Sequence, residues 1–466
     1  MNFSQKFIWT WSRKPGLSLV ISFLLVIIIG ATLLSLPQAT VEERSLSFSD
    51  ALFTATSATC VTGLIVKDTA TYFSRFGQIV IIILIQLGAL GIMSAGIFFI
   101  MLLGRKVSLA QEVNIKNVLG VEFVTEAMRL IRFLIVFTFI FEAVGTLFLF
   151  LRWHGQFGSI FNDFFYALFH SISSFGNAGF SLFSDSFIGF RGDVFVNAVI
   201  SLLIIFGGLG FMVLTNLWDS IRSFFTPILQ TKVLVRRFTT RRLGQLSLHS
   251  KIVLISSLVL IIAGTWFFYS FERSLSFSSF SPKEAILASY FQSVTARTAG
   301  FNTVNIKALS TPSHLFLIAL MFIGGAPGST AGGIKVTTFF LLLIMTYSII
   351  RGRKEYLVFR RRILREVVEK AMAITLISFF LVGLFCILLS FTEEAPLEDI
   401  VFEAVSAFGT VGLSTGLTPS LSILGKLLIT ALMFIGRLGP LTLILLLAKA
   451  ERMPKVSYSH EKVVIG

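Results

Sequence analysis

Long apolar runs alternate with short polar ones along this chain, and the apolar runs come in pairs. Residues 17–36, 76–103, 131–151, 194–217, 252–271, 314–350, 371–391 and 424–449 each predict a membrane-crossing helix, which needs about 20 mainly apolar residues. Between the members of each pair lies a mixed segment that ends on a glycine. Aligned on it, Thr62-Gly63, Ala178-Gly179, Ala299-Gly300 and Val411-Gly412 correspond, each followed by Leu or Phe and spaced 116, 121 and 112 residues apart. Twelve residues before the glycine stand Ala51-Leu52-Phe53, Ala167-Leu168-Phe169, Ala288-Ser289-Tyr290 and Ile400-Val401-Phe402, and six before it Ser57, Ser173, Val294 and Ser406. Self-similarity at a near-constant period predicts one unit used four times, over residues 1–103, 104–217, 218–350 and 351–466.

Charge gives these units a direction. The chain has 466 residues, 55% of them hydrophobic and 14% charged, with a net charge of +15. The basic excess is concentrated in segments 1–15, 104–132, 217–251, 351–370 and 449–466, which the positive-inside rule assigns to the cytoplasm, both termini included. Each unit therefore begins and ends inside, and its middle segment must dip in from outside and return. The expected fold is an all-α membrane protein with eight spanning helices and four re-entrant loops around a pseudo-fourfold pore. The first apolar run, 17–36, is too long for a signal-peptide core and is expected to span. Basic loops of this kind report topology, so no nucleic-acid partner is expected; lipid headgroups are.

The stretch before each glycine predicts a short helix. Ser47 or Ser49 with Asp50, Asn162-Asp163, Ser281-Pro282-Lys283-Glu284 and Pro396-Leu397-Glu398-Asp399 supply caps, first-turn proline and acids suited to the positive end of a helix dipole. Four such helices starting outside would point their carbonyl ends at one centre and favour a cation. Beyond each helix the chain returns extended, which membrane depth tolerates only in a cavity or within protein. A ring of carbonyls there could replace the hydration shell of a cation.

A second motif recurs in the last helix of each unit: Gly88-Ala89-Leu90-Gly91, Gly207-Gly208-Leu209-Gly210, Gly324-Gly325-Ala326-Pro327-Gly328 and Gly436-Arg437-Leu438-Gly439. In the first two units these small residues are expected to allow close helix packing. In the third, Gly324 to Lys335 reads GGAPGSTAGGIK and predicts a break in the helix that gates the inner half of the pore, a packed kink being the alternative. In the fourth, Arg437 replaces a glycine, and a charge at this depth implies function, the alternative being a structural pair with an acid such as Glu142 or Glu403.

This combination of four loop glycines, a broken third-unit helix and a late arginine closely resembles the Trk/Ktr/HKT superfamily of potassium transporters over nearly the whole chain, most like the KtrB-type membrane subunits of bacterial Ktr systems. The resemblance implies potassium uptake through a filter built from Cys60-Val61-Thr62-Gly63, Gly176-Asn177-Ala178-Gly179, Arg297-Thr298-Ala299-Gly300 and Gly409-Thr410-Val411-Gly412, with K⁺ held at the four glycines. It implies an intramembrane gate of Gly324, Gly325, Ala326, Pro327, Gly328, Ser329, Thr330, Ala331, Gly332, Gly333 and Lys335 facing Arg437. It further implies a homodimer in a bacterial cell membrane, seated on a cytosolic ATP/ADP-binding ring of KtrA type, with Na⁺ as a candidate coupling or activating ion and no organic cofactor.

Other classes fare worse. A sodium-permeable or poorly selective cation pathway is the alternative within transport. A membrane-embedded enzyme would need polar catalytic groups at matched spacing, and His170 and Ser171 are the nearest approach, better read as packing and hydrogen bonding. The two cysteines, Cys60 and Cys386, and five scattered histidines suggest neither disulfides nor a metal cluster. Basic stretches 232–251 and 351–370 are candidates for docking a regulatory partner, or for facing lipid headgroups.

Overall fold

The computed structural model describes residues 15–91, 124–225, 246–353 and 355–439, and its helices fall in four consecutive groups, one for each predicted quarter. The first quarter holds α1 (Pro15–Leu34), α2 (Phe48–Thr59) and α3 (Arg75–Leu90). The second holds α4 (Val124–Trp153), α5 (Ile160–Phe175), α6 (Val194–Gly208) and α7 (Phe211–Phe225). The third holds α8 (Leu248–Glu272), α9 (Pro282–Thr295), α10 (Thr311–Phe322) and α11 (Val336–Ile350), and the fourth α12 (Arg365–Thr392), α13 (Leu397–Gly409) and α14 (Ile423–Leu438).

Among the described residues three helices are long and apolar enough to cross a bilayer: Leu130–Trp153, Leu248–Glu272 and Arg365–Thr392. Helices α6 and α7 join this group as a pair bent by 103°. That bend corrects the expectation of a continuous helix over 194–217: Gly210 takes a φ of +81° and breaks it. The run 314–350 is likewise two helices, as the glycine-rich sequence predicts. The parts of runs 76–103 and 424–449 beyond Gly91 and Gly439 lie outside the described residues.

Local chemistry sets the starts of the short helices. Ser47, not Ser49, caps α2 by accepting from Asp50 N–H at 3.2 Å. Helix α5 begins a turn earlier than the Asn162-Asp163 signal, capped by Ser159, because Asp163 instead accepts from Gly155 and Phe157 N–H at 2.7 and 2.9 Å. Ser281 and Glu284 form a reciprocal capping box, and the Ser281 N–H and hydroxyl bonds hold the Glu284 carboxyl below its usual range. Pro396 caps α13 without a side-chain bond, ahead of Glu398 and Asp399 in the first turn.

The quarters close on one another in a single order. The helix that follows each glycine loop packs on the short helix of the next quarter: α3 on α5, α6 on α9, α10 on α13, and α14 back on α2. A polar clasp fastens each seam. The Arg75 guanidinium donates to Asn162 at 2.6 Å, Arg191 lies 3.9 Å from Glu284, His314 meets Glu398 at 2.6 Å and Lys426 pairs with Asp50 at 2.6 Å. Arg75 and Arg191 also lie over the rings of Phe165 and Phe280, at 4.0 and 3.7 Å.

In the basic segment 351–370 a short antiparallel hairpin, β1 (Tyr356–Val358) with β2 (Arg361–Ile363), turns through Phe359 and Arg360, both at positive φ. Residues 232–245, the other basic candidate, lie outside the described residues.

The Lys426–Asp50 clasp joins the ends of the ring, with 15% and 12% of the two side chains exposed. Lys426→Met strands a mostly buried carboxylate and should cost about 3 kcal/mol. Thermal unfolding in detergent should show that loss, and the exchanged pair K426D/D50K should recover most of it.

Candidate functional site

Four glycines from four quarters meet at one centre and fill each other's side-chain space. A Cβ on Gly63 would strike the Ala178 carbonyl, one on Gly179 the Ala299 carbonyl, one on Gly300 the Val411 carbonyl and one on Gly412 the Thr62 carbonyl. The contacts run once around and close. All four glycines have positive φ, from +69° to +95°, and so do the residues two positions earlier, Val61, Asn177, Thr298 and Thr410. The residues between, Thr62, Ala178, Ala299 and Val411, do not. Alternation of hand turns successive main-chain groups toward one side. Three of the left-handed residues are β-branched, a conformation that costs about 1–3 kcal/mol each and persists only where surroundings enforce it.

Hydrogen bonds from the short helices supply that enforcement. In quarters one, two and four the N–H just before the glycine (Thr62, Ala178, Val411) donates to the carbonyl of Ser57, Ser173 or Ser406 at 2.8 Å. Ser57 and Ser406 hydroxyls also accept from Gly63 and Gly412 N–H at 3.1 Å, while Ser173 donates to the Phe180 carbonyl at 2.8 Å. The third quarter has Val294 at this position, and its register shifts by one. There Ala299 N–H donates to the Thr295 carbonyl, and the Thr295 hydroxyl donates to the Phe301 carbonyl at 2.6 Å.

Side chains turn away, leaving main chain at the centre. Val61 lies near Gly88, Thr410 against Gly332, and the Asn177 amide, with its nitrogen turned to the acceptors around it, donates to the Ile204 and Ser174 carbonyls at 3.2 and 3.0 Å, an orientation assigned from the hydrogen-bond network. The Arg297 guanidinium is buried and donates to the Ser257 hydroxyl on α8 at 2.9 Å. Cys60 is buried, and Gly409 packs on the Met321 carbonyl. The second glycine motif supports the same arrangement: Gly88, Gly207 and Gly436 press on the carbonyls of Thr59, Phe175 and Phe408, each four residues before a ring glycine. Gly324, in the third quarter, presses on Gly332 of its own loop instead.

On the side of the residues that follow the glycines, a cavity of about 480 Å³ is lined by all four of them together with Asp68, Asp185 and Lys307. On the opposite side lies the segment between α10 and α11. Gly332 and Gly333 abut Thr410 and Gly409, directly behind the ring. Main-chain bonds strap the segment to itself and to the break between α6 and α7: Gly324 N–H to Ile334 O, Val336 N–H to Gly325 O, Ala326 N–H to Gly208 O and Phe211 N–H to Gly328 O, at 2.8 to 3.1 Å. Lys335 donates to the Ala331 carbonyl at 2.6 Å, and Ser329 to the Ala326 carbonyl at 2.7 Å.

Arg437 spans from this segment to the first quarter, donating to the Thr330 carbonyl and, at 2.5 Å, to the Gly88 carbonyl. Its expected alternative partners are engaged elsewhere. Glu142 accepts from Gln86 at 3.2 Å, and Glu403 accepts from Ser414 and from Thr418, the latter at 2.8 Å. A second cavity, of about 280 Å³, is lined by Arg437, Gly91, Phe211 and Pro327-Gly328-Ser329. His170 and Ser171, the nearest approach to a catalytic pair, bond elsewhere: Ser171 donates to the Glu142 carbonyl at 2.7 Å, and His170 is held by Tyr166, Ser181 and Leu182.

Residues 12–459 match the TrkH family, described as cation transport protein. The chain is 42% identical to the Ktr system potassium uptake protein B of Bacillus subtilis, over 98% of both chains. It is 36% identical to the potassium/sodium uptake protein NtpJ of Enterococcus hirae, over 97% of each. Its fold matches the crystal structure of the potassium transporter TrkH from Vibrio parahaemolyticus with a TM-score of 0.67 at 19% identity, covering 91% of this chain and 84% of the other.

Sequence reasoning missed the left-handed residues, the seam clasps and the break at Gly210; for the last, the recurring Gly-x-x-Gly was an available signal. Gly436 and Gly383 offer a matched test of close approach, since a Cβ at Gly436 would strike Phe408 and one at Gly383 meets nothing within 4 Å. Gly436→Ala should destabilise by about 1–3 kcal/mol, whereas Gly383→Ala should stabilise by up to about 1 kcal/mol, both read as thermal shifts in detergent.

Proposed function

The chain belongs to the TrkH family of cation transport proteins, a membrane transport family and not one of enzymes; from that premise we propose that it takes up potassium through a pore at the centre of its four quarters, as the translocating subunit of a Ktr-like system. The observation that carries this reading is the closed ring in which Gly63, Gly179, Gly300 and Gly412 each abut the carbonyl of the next quarter. A ring of main-chain oxygens is suited to a dehydrated monovalent cation. The carboxyl ends of α2, α5, α9 and α13 add negative partial charge there.

In this reading the cation enters the 480 Å³ cavity from outside and exchanges water for filter oxygens. It leaves past the segment Gly324 to Lys335. Arg437 holds that segment closed by bonding the Thr330 carbonyl on one side and Gly88 on the other. The membrane potential drives entry, worth about 2.3 kcal/mol per charge per 100 mV. The quarters are repeats in an eight-span, two-ends-inside topology; the chain forms a homodimer seated on a KtrA-type nucleotide-binding ring that regulates it, and the segment 351–370 is a docking candidate for that ring. Passage of Na⁺ is the second reading, favoured by the name of the Enterococcus relative.

Gly300→Ser or Gly412→Ser should weaken K⁺ over Na⁺ discrimination, measured as competition in ⁸⁶Rb⁺ uptake by proteoliposomes; unchanged selectivity would remove the filter assignment. Arg437→Ala deletes two charge-assisted bonds and should raise uptake without a regulatory partner by about tenfold or more. A folded but inactive variant would argue against a gate.

A further inference from the structure

One layer outward from the glycines, two residues further along the chain, Ile65, Ser181, Asn302 and Ser414 all line the outer cavity. The second and fourth quarters, which do not touch in the ring of glycines, carry the same side-chain device at this level. Nine residues before the glycine, inside the short helix, stand His170 and Glu403, both buried. The corresponding residues in the other two quarters are Thr54 and Phe291.

Hydrogen-bond logic fixes the direction of each hydroxyl. His170 Nδ1 lies 2.8 Å from the Tyr166 carbonyl and so donates, while Nε2 receives the Leu182 N–H at 3.2 Å and so accepts. With Nε2 unprotonated, the 3.1 Å bond between it and the Ser181 hydroxyl runs from hydroxyl to imidazole, sharing the acceptor with Leu182 N–H. The Ser181 oxygen also accepts from Phe183 N–H at 3.0 Å. In the fourth quarter the Ser414 hydroxyl donates to the Glu403 carboxylate and its oxygen accepts from Gly416 N–H at 2.9 Å. Phe183 and Gly416 are both four residues beyond their glycine. An imidazole and a carboxylate thus do one job at opposite corners: each draws the serine proton inward and leaves a hydroxyl oxygen on a cavity wall that cations cross.

We propose that His170 and Glu403 are positioning residues for cation entry, holding Ser181 and Ser414 with their oxygens toward the outer end of the pore, where an arriving K⁺ exchanges its first waters. This rests on the reading of the glycine ring as the filter. A hydroxyl free to rotate would present its proton to the cation part of the time, and the fixed one does not.

The test is the K⁺/Na⁺ selectivity ratio of purified protein in liposomes, which does not depend on the amount of folded protein. Ser414→Ala, Glu403→Ala, Ser181→Ala and His170→Ala should each lower it by about fivefold, the equilibrium equivalent of one net hydrogen bond. Glu403→Gln and His170→Gln, which keep an acceptor, should sit nearer wild type. Since Glu403 acts through Ser414, the double variant E403A/S414A should be no worse than S414A; additive losses would overturn the proposal. A melting temperature that falls at an unchanged ratio would reduce the pair to structural packing and overturn it too. If the alanine variants of the buried pair do not fold, S181A and S414A decide, and wild-type ratios in both overturn it. Gly412→Ser run alongside separates the two ideas: if it alone changes the ratio, the positioning role fails and the filter stands, and if it too is silent, the filter reading fails first.

Discussion

Everything else in this molecule depends on four backbones approaching so closely that none can carry a side chain at the point of contact. Each ring glycine abuts a carbonyl of the following quarter, so no quarter can move independently at the centre. The rest of the architecture serves that approach. The short helices deliver the chain to the centre, their serines and threonine fix its dihedrals, and the Gly-x-x-Gly motifs let the neighbouring helices lie on the ends of the short ones. The seam clasps then hold the starts of those helices a turn or more away from the ring.

Fourfold likeness breaks where the third quarter needs room for its own segment. Thr295 takes over from the missing serine with a register shift of one residue, and Gly324 packs on its own loop rather than on a short helix. Gly332 then fits beneath Thr410 of the fourth quarter, where any side chain would collide. Arg437 is satisfied by the main-chain carbonyls of Thr330 and Gly88 and not by an acid. A cation bound to main-chain oxygens in this way is tied to the shape of the loop, not to a countercharge, which suits a contact that must be made and released.

Much of this was legible in the residues. The apolar runs, the aligned glycines and the capping signals gave the order of elements, and GGAPGSTAGGIK cannot persist as helix. What remained hidden depended on distant partners. Gly207-Gly208-Leu209-Gly210 reads as a packing motif, and it breaks the helix because the Ala326 and Phe211 N–H groups exchange bonds across to the third quarter, over a hundred residues away in sequence. Val61, Thr298 and Thr410 carry no left-handed preference, so their dihedrals are imposed by the ring. The hairpin turn at Phe359-Arg360 escaped notice for a related reason, since such a turn favours Asn-Gly.

The seam between the fourth and first quarters brings Asp50 and Lys426 together across 376 residues, while the other seams join neighbours in the chain. During synthesis three quarters are complete while the fourth is still emerging, and their arc has one open flank. Loop closure over such a separation is slow, and main-chain polar groups on that flank have no partner in hydrocarbon. Closing the ring at this seam therefore carries the largest chain-entropy cost of the four, and that cost falls on the one seam that cannot form until the fourth quarter exists.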